Sequence, residues 1–129
     1  MISLAKLPFF IHILVASCSA LTFIFRPHRQ LQPLSHSATI ILQCYGGCIL
    51  FTNLISLIFL VRPVVDETTK LVALAFAFCH AWPSYRAVTR LQNNLDVQGE
   101  LGSTLGGPIV HLGVHGLLFF MFLQAGLLY

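Results

Sequence analysis

Four apolar stretches separated by shorter polar ones make up most of this chain. Residues 7–25 are apolar from just behind Lys6 to the group Arg26, Pro27, His28 and Arg29. The polar, turn-forming stretch 30–37, QLQPLSHS, leads into a second apolar run over about 38–61. Arg62-Pro63 stops that run, because proline disfavours helical geometry in the residue before it and brings no backbone donor. The segment VVDETTK then places Asp66 and Glu67 just ahead of a third run, 69–90, where a helix dipole favours negative charge. A long polar stretch, 91–107, precedes the fourth run, 108–129, which opens on Pro108 at a first-turn position where the missing donor does no harm. Each run is long enough to cross roughly 30 Å of hydrocarbon as a helix. The pattern predicts an all-α integral membrane protein, a four-helix bundle with spans at about 7–25, 38–61, 69–90 and 108–129 in one transmembrane domain, 1–129.

Composition strengthens this reading. The chain is 57% hydrophobic and 9% charged, whereas about a quarter of residues are charged in an ordinary soluble domain. The net charge of +3 is scattered over the loops, so neither a nucleic-acid partner nor a polybasic lipid anchor is expected. Ala16-Ser17-Cys18-Ser19-Ala20 has the texture of a signal-peptidase site, but apolar sequence continues through Phe25 and the segment reads as the first helix. The four cysteines read as free, buried small hydrophobes. One helical turn separates Cys44 from Cys48, roughly 5 to 6 Å between β-carbons against the roughly 3.5 to 4.5 Å of a disulfide. Arg26, Arg29, Arg86 and Arg90 outnumber Lys6, Arg62 and Lys70, which puts the first and third loops on the cytosolic side under the positive-inside rule. No internal repeat points to an alternating-access transporter.

The chemistry lies in polar groups inside the apolar runs, since ionisable groups at membrane depth are candidate functional groups. The stretch 71–90, LVALAFAFCHAWPSYRAVTR, gathers His80, Trp82, Pro83, Tyr85, Arg86 and Arg90 at one end. Pro83 frees the carbonyl of Cys79 and predicts a kink beside His80, while Arg90 suits snorkelling to the interface. In the fourth run His111 and His115 are spaced i and i+4 and share a face. Gly113 and Gly116 lie on the other side, suited to close helix contact. Counted from the helix ends at 1.5 Å per residue, Arg86 stands near the level of His111, and His80 just deeper than His115. Gln43 and Asn53 share an arc with Gly46 and Gly47, as interhelical glue or as the wall of a polar pocket. His12 falls nearer the opposite end and reads as a satisfied core donor and a poorer partner. No carboxylate lies inside a run to complete a metal site, and no metal or other cofactor is expected.

These groups suit acid–base chemistry on a lipophilic small molecule arriving from the bilayer. Imidazole gives and takes protons near neutrality, and arginine stabilises oxyanion charge where water is scarce. The candidate catalytic residues are His80, His111, His115, Arg86 and Tyr85. Trp82, Gln43 and Asn53 line the expected pocket, under a loop carrying Asp96 and Glu100. The segments 8–27, PFFIHILVASCSALTFIFRP, 79–87, CHAWPSYRA, and 106–120, GGPIVHLGVHGLLFF, resemble in texture the small four-span fungal membrane proteins that accompany secondary-metabolite pathways, some with cyclase, isomerase or epoxide-hydrolase roles. The resemblance spans the whole chain and implies an endomembrane enzyme, as in the endoplasmic reticulum, with a polyketide- or terpenoid-like substrate. It transfers no catalytic residue. Other membrane-bound biosynthetic enzymes, or a second copy of the chain, are the protein partners to expect. The competing readings are a non-enzymatic scaffold or accessory subunit, and a haem, quinone or transport protein using histidines on two helices.

Overall fold

The computed structural model describes residues 3–31, 33–92 and 107–129. It is all-α: helices α1 (Leu7–Phe25), α2 (His36–Val61), α3 (Glu67–Gln92) and α4 (Gly107–Leu128), with short 3-10 turns at Leu4–Lys6 and Pro27–Arg29. The ends follow local chemistry. Ser35 caps α2, its Oγ accepting the Ala38 N–H at 3.2 Å, so the helix starts two residues earlier than the apolar pattern suggests. Asp66 caps α3, with Oδ1 accepting both the N–H and the hydroxyl of Thr69 at 3.0 Å. The backbone bond from Thr69, then its hydroxyl, holds the Asp66 carboxyl below its ordinary value; the nearby Arg62 adds to this and partial desolvation opposes it. Gly107 opens α4 with φ of 72°, a left-handed conformation that glycine adopts without strain.

The helices form two antiparallel hairpins, α1 with α2 and α3 with α4, joined mainly where α1 meets α4. Both hairpins close on a glycine. A β-carbon on Gly46 would stand 2.7 Å from Ile24 Cγ1 and 3.1 Å from the Ala20 carbonyl; one on Gly126 would stand 2.6 Å from Leu74 Cγ and 3.1 Å from the Lys70 carbonyl. Gly47, Gly113 and Gly116 face open space, so the helix contact expected at Gly113 and Gly116 is made instead by Gly126, three turns further along α4. Gly126→Ala is therefore expected to cost about 1 to 3 kcal/mol by overpacking against backbone, whereas Gly113→Ala leaves stability unchanged or slightly raised. Equilibrium unfolding of the two variants in mixed detergent micelles measures the contrast.

Phe9 is at the centre of the core and fully buried. Its ring stacks on Phe59 at 5.7 Å and meets the edges of Phe76 at 5.7 Å and Phe122 at 5.0 Å, which brings one aromatic side chain from each helix into a single layer. In a lipid setting such a layer holds helices together by dispersion and shape, since lipid tails are as apolar as the core. Large apolar side chains also cover the outside, among them Leu14, Phe51, Phe78, Leu117 and Phe120. A contiguous apolar surface of this kind suits lipid contact.

Among the described residues, three helical segments, Leu4–Phe25, His36–Val61 and Gly107–Leu128, are long and apolar enough to cross a membrane. The expected third span is a helix of sufficient length, but Lys70 at one end and His80, Pro83, Ser84, Arg86 and Arg90 towards the other leave its apolar part too short to qualify by composition. Its buried face, Ala73, Phe76, Ala77 and His80, is turned into the bundle. The four cysteines are free thiols, as expected, but exposed on the outer surface rather than buried.

Candidate functional site

Directly beside the aromatic layer lies a layer of imidazoles. His12 follows Phe9 on α1 by three residues and His80 follows Phe76 on α3 by four, so both rings point into the bundle above their phenylalanines. Going the other way along the antiparallel helices, Thr52 precedes Phe59 on α2 and His115 precedes Phe122 on α4 by seven residues each, two turns on the same face. The four groups meet in a continuous chain. Thr52 Oγ1 lies 3.1 Å from His12 Nε2, His12 Nδ1 lies 3.1 Å from His80 Nε2, and His80 Nδ1 lies 2.9 Å from His115 Nδ1. The Thr52 hydroxyl in turn donates to the Ile49 carbonyl at 2.7 Å. His111 extends the row outward, its ring 5.0 Å from that of His115, and the guanidinium groups of Arg86 and Arg90 are within electrostatic range of His111.

The row is thus buried in its middle and half-buried at both ends, at Thr52 and at His115. His12 and His80 are 6% and 5% exposed. Aromatic rings wall them in: His12 meets the edge of Phe76 at 4.9 Å, and His80 stacks on Phe122 at 5.7 Å with only 15° between planes. His111 and His115 are half-buried. Near Thr52, the Asn53 amide donates to Ser17 Oγ at 3.0 Å, while Asn53 Oδ1 and Ser56 Oγ are buried without a hydrogen-bond partner among the described residues. Helix α3 runs unbroken through Pro83, and the Ser84 hydroxyl donates to the His80 carbonyl at 2.9 Å.

Of the residues singled out from sequence, His80 and His115 are hydrogen-bonded to one another and His111 packs against His115, while Arg86 is exposed and reaches His111 only electrostatically. Trp82 and Tyr85 lie on the outer face of α3, 61% and 66% exposed, in an edge-to-face row with Phe78. Gln43 donates to the Ile24 carbonyl at 3.1 Å on the exposed seam of α1 and α2, away from the imidazoles. Asn53 is buried one residue from Thr52. Asp96 and Glu100 lie outside the described residues. A cleft between the start of α1 and the end of α4, lined by Leu4, Pro8, Met121 and Tyr129 among others, is at the opposite end of the bundle from His111.

His12 is the main correction. It is a full member of the row, not a distant core donor, because the helix ends are not level. His12 is five residues beyond Leu7 and His80 thirteen beyond Glu67, yet the two are in contact, so α3 projects past α1 by about two turns. Thr52 gave no distinct signal either, since a threonine in an apolar helix ordinarily satisfies itself on its own backbone. Consecutive rings present nitrogen to nitrogen in a line instead of converging on one point, and no group of three or more potential metal ligands among the described residues is arranged to hold an ion.

No protein-family model, characterised protein or solved structure matches the chain.

Proposed function

We propose that this chain is a membrane-embedded acid–base enzyme acting on a lipophilic small molecule, as a cyclase, isomerase or epoxide hydrolase of secondary metabolism in an endomembrane such as the endoplasmic reticulum. The observation that supports this most strongly is the chain Thr52–His12–His80–His115, with every helix contributing one member at 2.9 to 3.1 Å. Interhelical hydrogen bonds serve packing as well, but here three of them join end to end across all four helices. A run of coupled imidazoles at the end of which a half-buried ring meets its surroundings is suited to taking up and returning protons, the one reaction step common to these three chemistries. Arg86, within electrostatic range of His111, would supply positive charge to a developing oxyanion. The resemblance to four-span fungal pathway proteins fits the same reading.

Deleting the gene and profiling extracted metabolites tests it. The expected result is accumulation of one lipophilic precursor, reversed by the wild-type chain and not by His115→Ala at equal membrane abundance. Full reversal by His115→Ala, or by His111→Ala and His115→Ala together, sinks the enzymatic reading.

The second reading is a scaffold for other membrane enzymes. It is favoured by the open surface over Gly113 and Gly116 on α4, where no β-carbon would meet a neighbour within 4 Å and a partner helix has room to approach closely. Under that reading, bulky residues at Gly113 and Gly116 abolish partner co-purification while His115→Ala does not.

A further inference from the structure

We infer that Thr52 is a positioning residue that gives the imidazole row a fixed polarity, leaving His115 Nε2 as its proton-accepting end. The inference rests on the acid–base reading above and narrows it to substrates with an acidic C–H bond.

The polarity follows from counting protons. A hydroxyl has one proton, and that of Thr52 is committed to the Ile49 carbonyl at 2.7 Å. Its oxygen therefore faces His12 Nε2 as an acceptor, and His12 must donate through Nε2–H. A neutral imidazole holds a single N–H, so His12 Nδ1 is bare and accepts from His80 Nε2–H. The same rule leaves His80 Nδ1 bare, accepting from His115 Nδ1–H. His115 Nε2 is then left with a lone pair and no hydrogen-bond partner among the described residues. All four hydrogen bonds run one way, from α4 through α3 and α1 to α2. The opposite polarity requires the Thr52 hydroxyl to abandon Ile49 and turn its proton to His12, which would leave His115 carrying Nε2–H as an acid.

The polarised row dictates a first step. A substrate C–H bond next to a carbonyl or conjugated system breaks, its electron pair stays on the substrate as an enolate, and the proton goes to His115 Nε2. His115 passes its Nδ1 proton to His80 Nδ1, and His80 passes its Nε2 proton to His12 Nδ1. Each transfer moves the positive charge one ring further along the row, as far as His12, whose Nε2–H remains bonded to Thr52. Running the same transfers backward returns a proton to a different carbon of the enolate, and the balanced outcome is a double-bond isomerisation with no oxidant or co-reactant. The aromatic layer of Phe9, Phe76 and Phe122 walls off the far side of the row, which keeps the stored proton from leaving that way.

Solid-state NMR of the full chain, with 15N-labelled histidine in phosphatidylcholine bilayers above neutral pH, reads the tautomers directly. His12 and His80 are expected to be protonated at Nε2 and His115 at Nδ1. In Thr52→Val, the His12 donor loses its acceptor and the His115 signal moves wholly or partly to Nε2; Thr52→Ser restores the wild-type pattern. In the complementation assay, Thr52→Val is expected to lower product formation about a hundredfold and Thr52→Ser to keep it. His115 protonated at Nε2 in the wild type, or unchanged tautomers in Thr52→Val, overturns the inference. The expected tautomers together with product formation indifferent to His115 would overturn the enzymatic reading instead and leave the polarity standing.

Discussion

Replacing His80 by alanine is expected to abolish product formation and to lower the stability of the bundle by about 3 to 5 kcal/mol. His80 is the only member of the row bonded to two other imidazoles, at 3.1 Å and 2.9 Å. Its removal strands His12 Nδ1 and His115 Nδ1 together. A buried polar group left unpaired costs about 1 to 3 kcal/mol, and the missing ring opens a cavity against Phe122. His80→Phe separates the two effects. It preserves a ring stacked on Phe122, where His80 lies at 5.7 Å, and so avoids most of the cavity, but it carries no proton. The expected pattern is loss of product in both variants, with His80→Phe clearly the more stable on unfolding in mixed detergent micelles. Product formation by His80→Phe would exclude any proton path through α3.

Phe122→Ala is expected to produce the largest loss of stability among apolar substitutions, about 3 to 5 kcal/mol. Phe122 is 0% exposed and touches Phe9 and Phe76 at 5.0 Å, His80 at 5.7 Å and His12 at 6.1 Å. It is therefore shared between the aromatic and imidazole layers. Phe120, two residues away and 67% exposed, supplies the comparison: Phe120→Ala faces the outside and should change stability by no more than about 0.5 kcal/mol. Parallel unfolding curves for the two variants measure the difference, and equal losses would contradict an α4 rotated to turn Phe122 inward and Phe120 outward. Because Phe122 also packs on two rings of the row, its truncation should loosen their tautomers, visible as added histidine 15N signals in the same NMR experiment.

Much of the architecture was legible in residue order. Pro63 and Asp66 bracket the turn between α2 and α3, Pro108 sits in the first turn of α4, and each acts through backbone geometry or capping within a few residues of itself. The pairing of His111 with His115 was equally local, a matter of i, i+4 spacing. His80 and His115 could be placed near each other because α3 and α4 are consecutive and antiparallel. His12 could not, since its partner lies 68 residues away and the stagger of α3 past α1 is set by packing at Phe9, Phe76 and Phe122. Tyr85 and Trp82, read from composition as parts of a site, share a helix with His80 but lie on its outward face.

Helix number, length, order and ends, and the inventory of polar groups within the apolar runs, follow from local composition, because lipid or core can accept an apolar residue and neither accepts an unpaired backbone. Which faces meet was decided only in three dimensions. In a soluble helix the polar side marks the outside, so periodicity reveals the inner face. Here apolar residues cover both faces, and close packing at Gly46, Gly126 and the phenylalanine layer, not hydrophobicity, sets each helix's rotation and height. Those two settings brought Thr52 and His12 into line with His80 and His115.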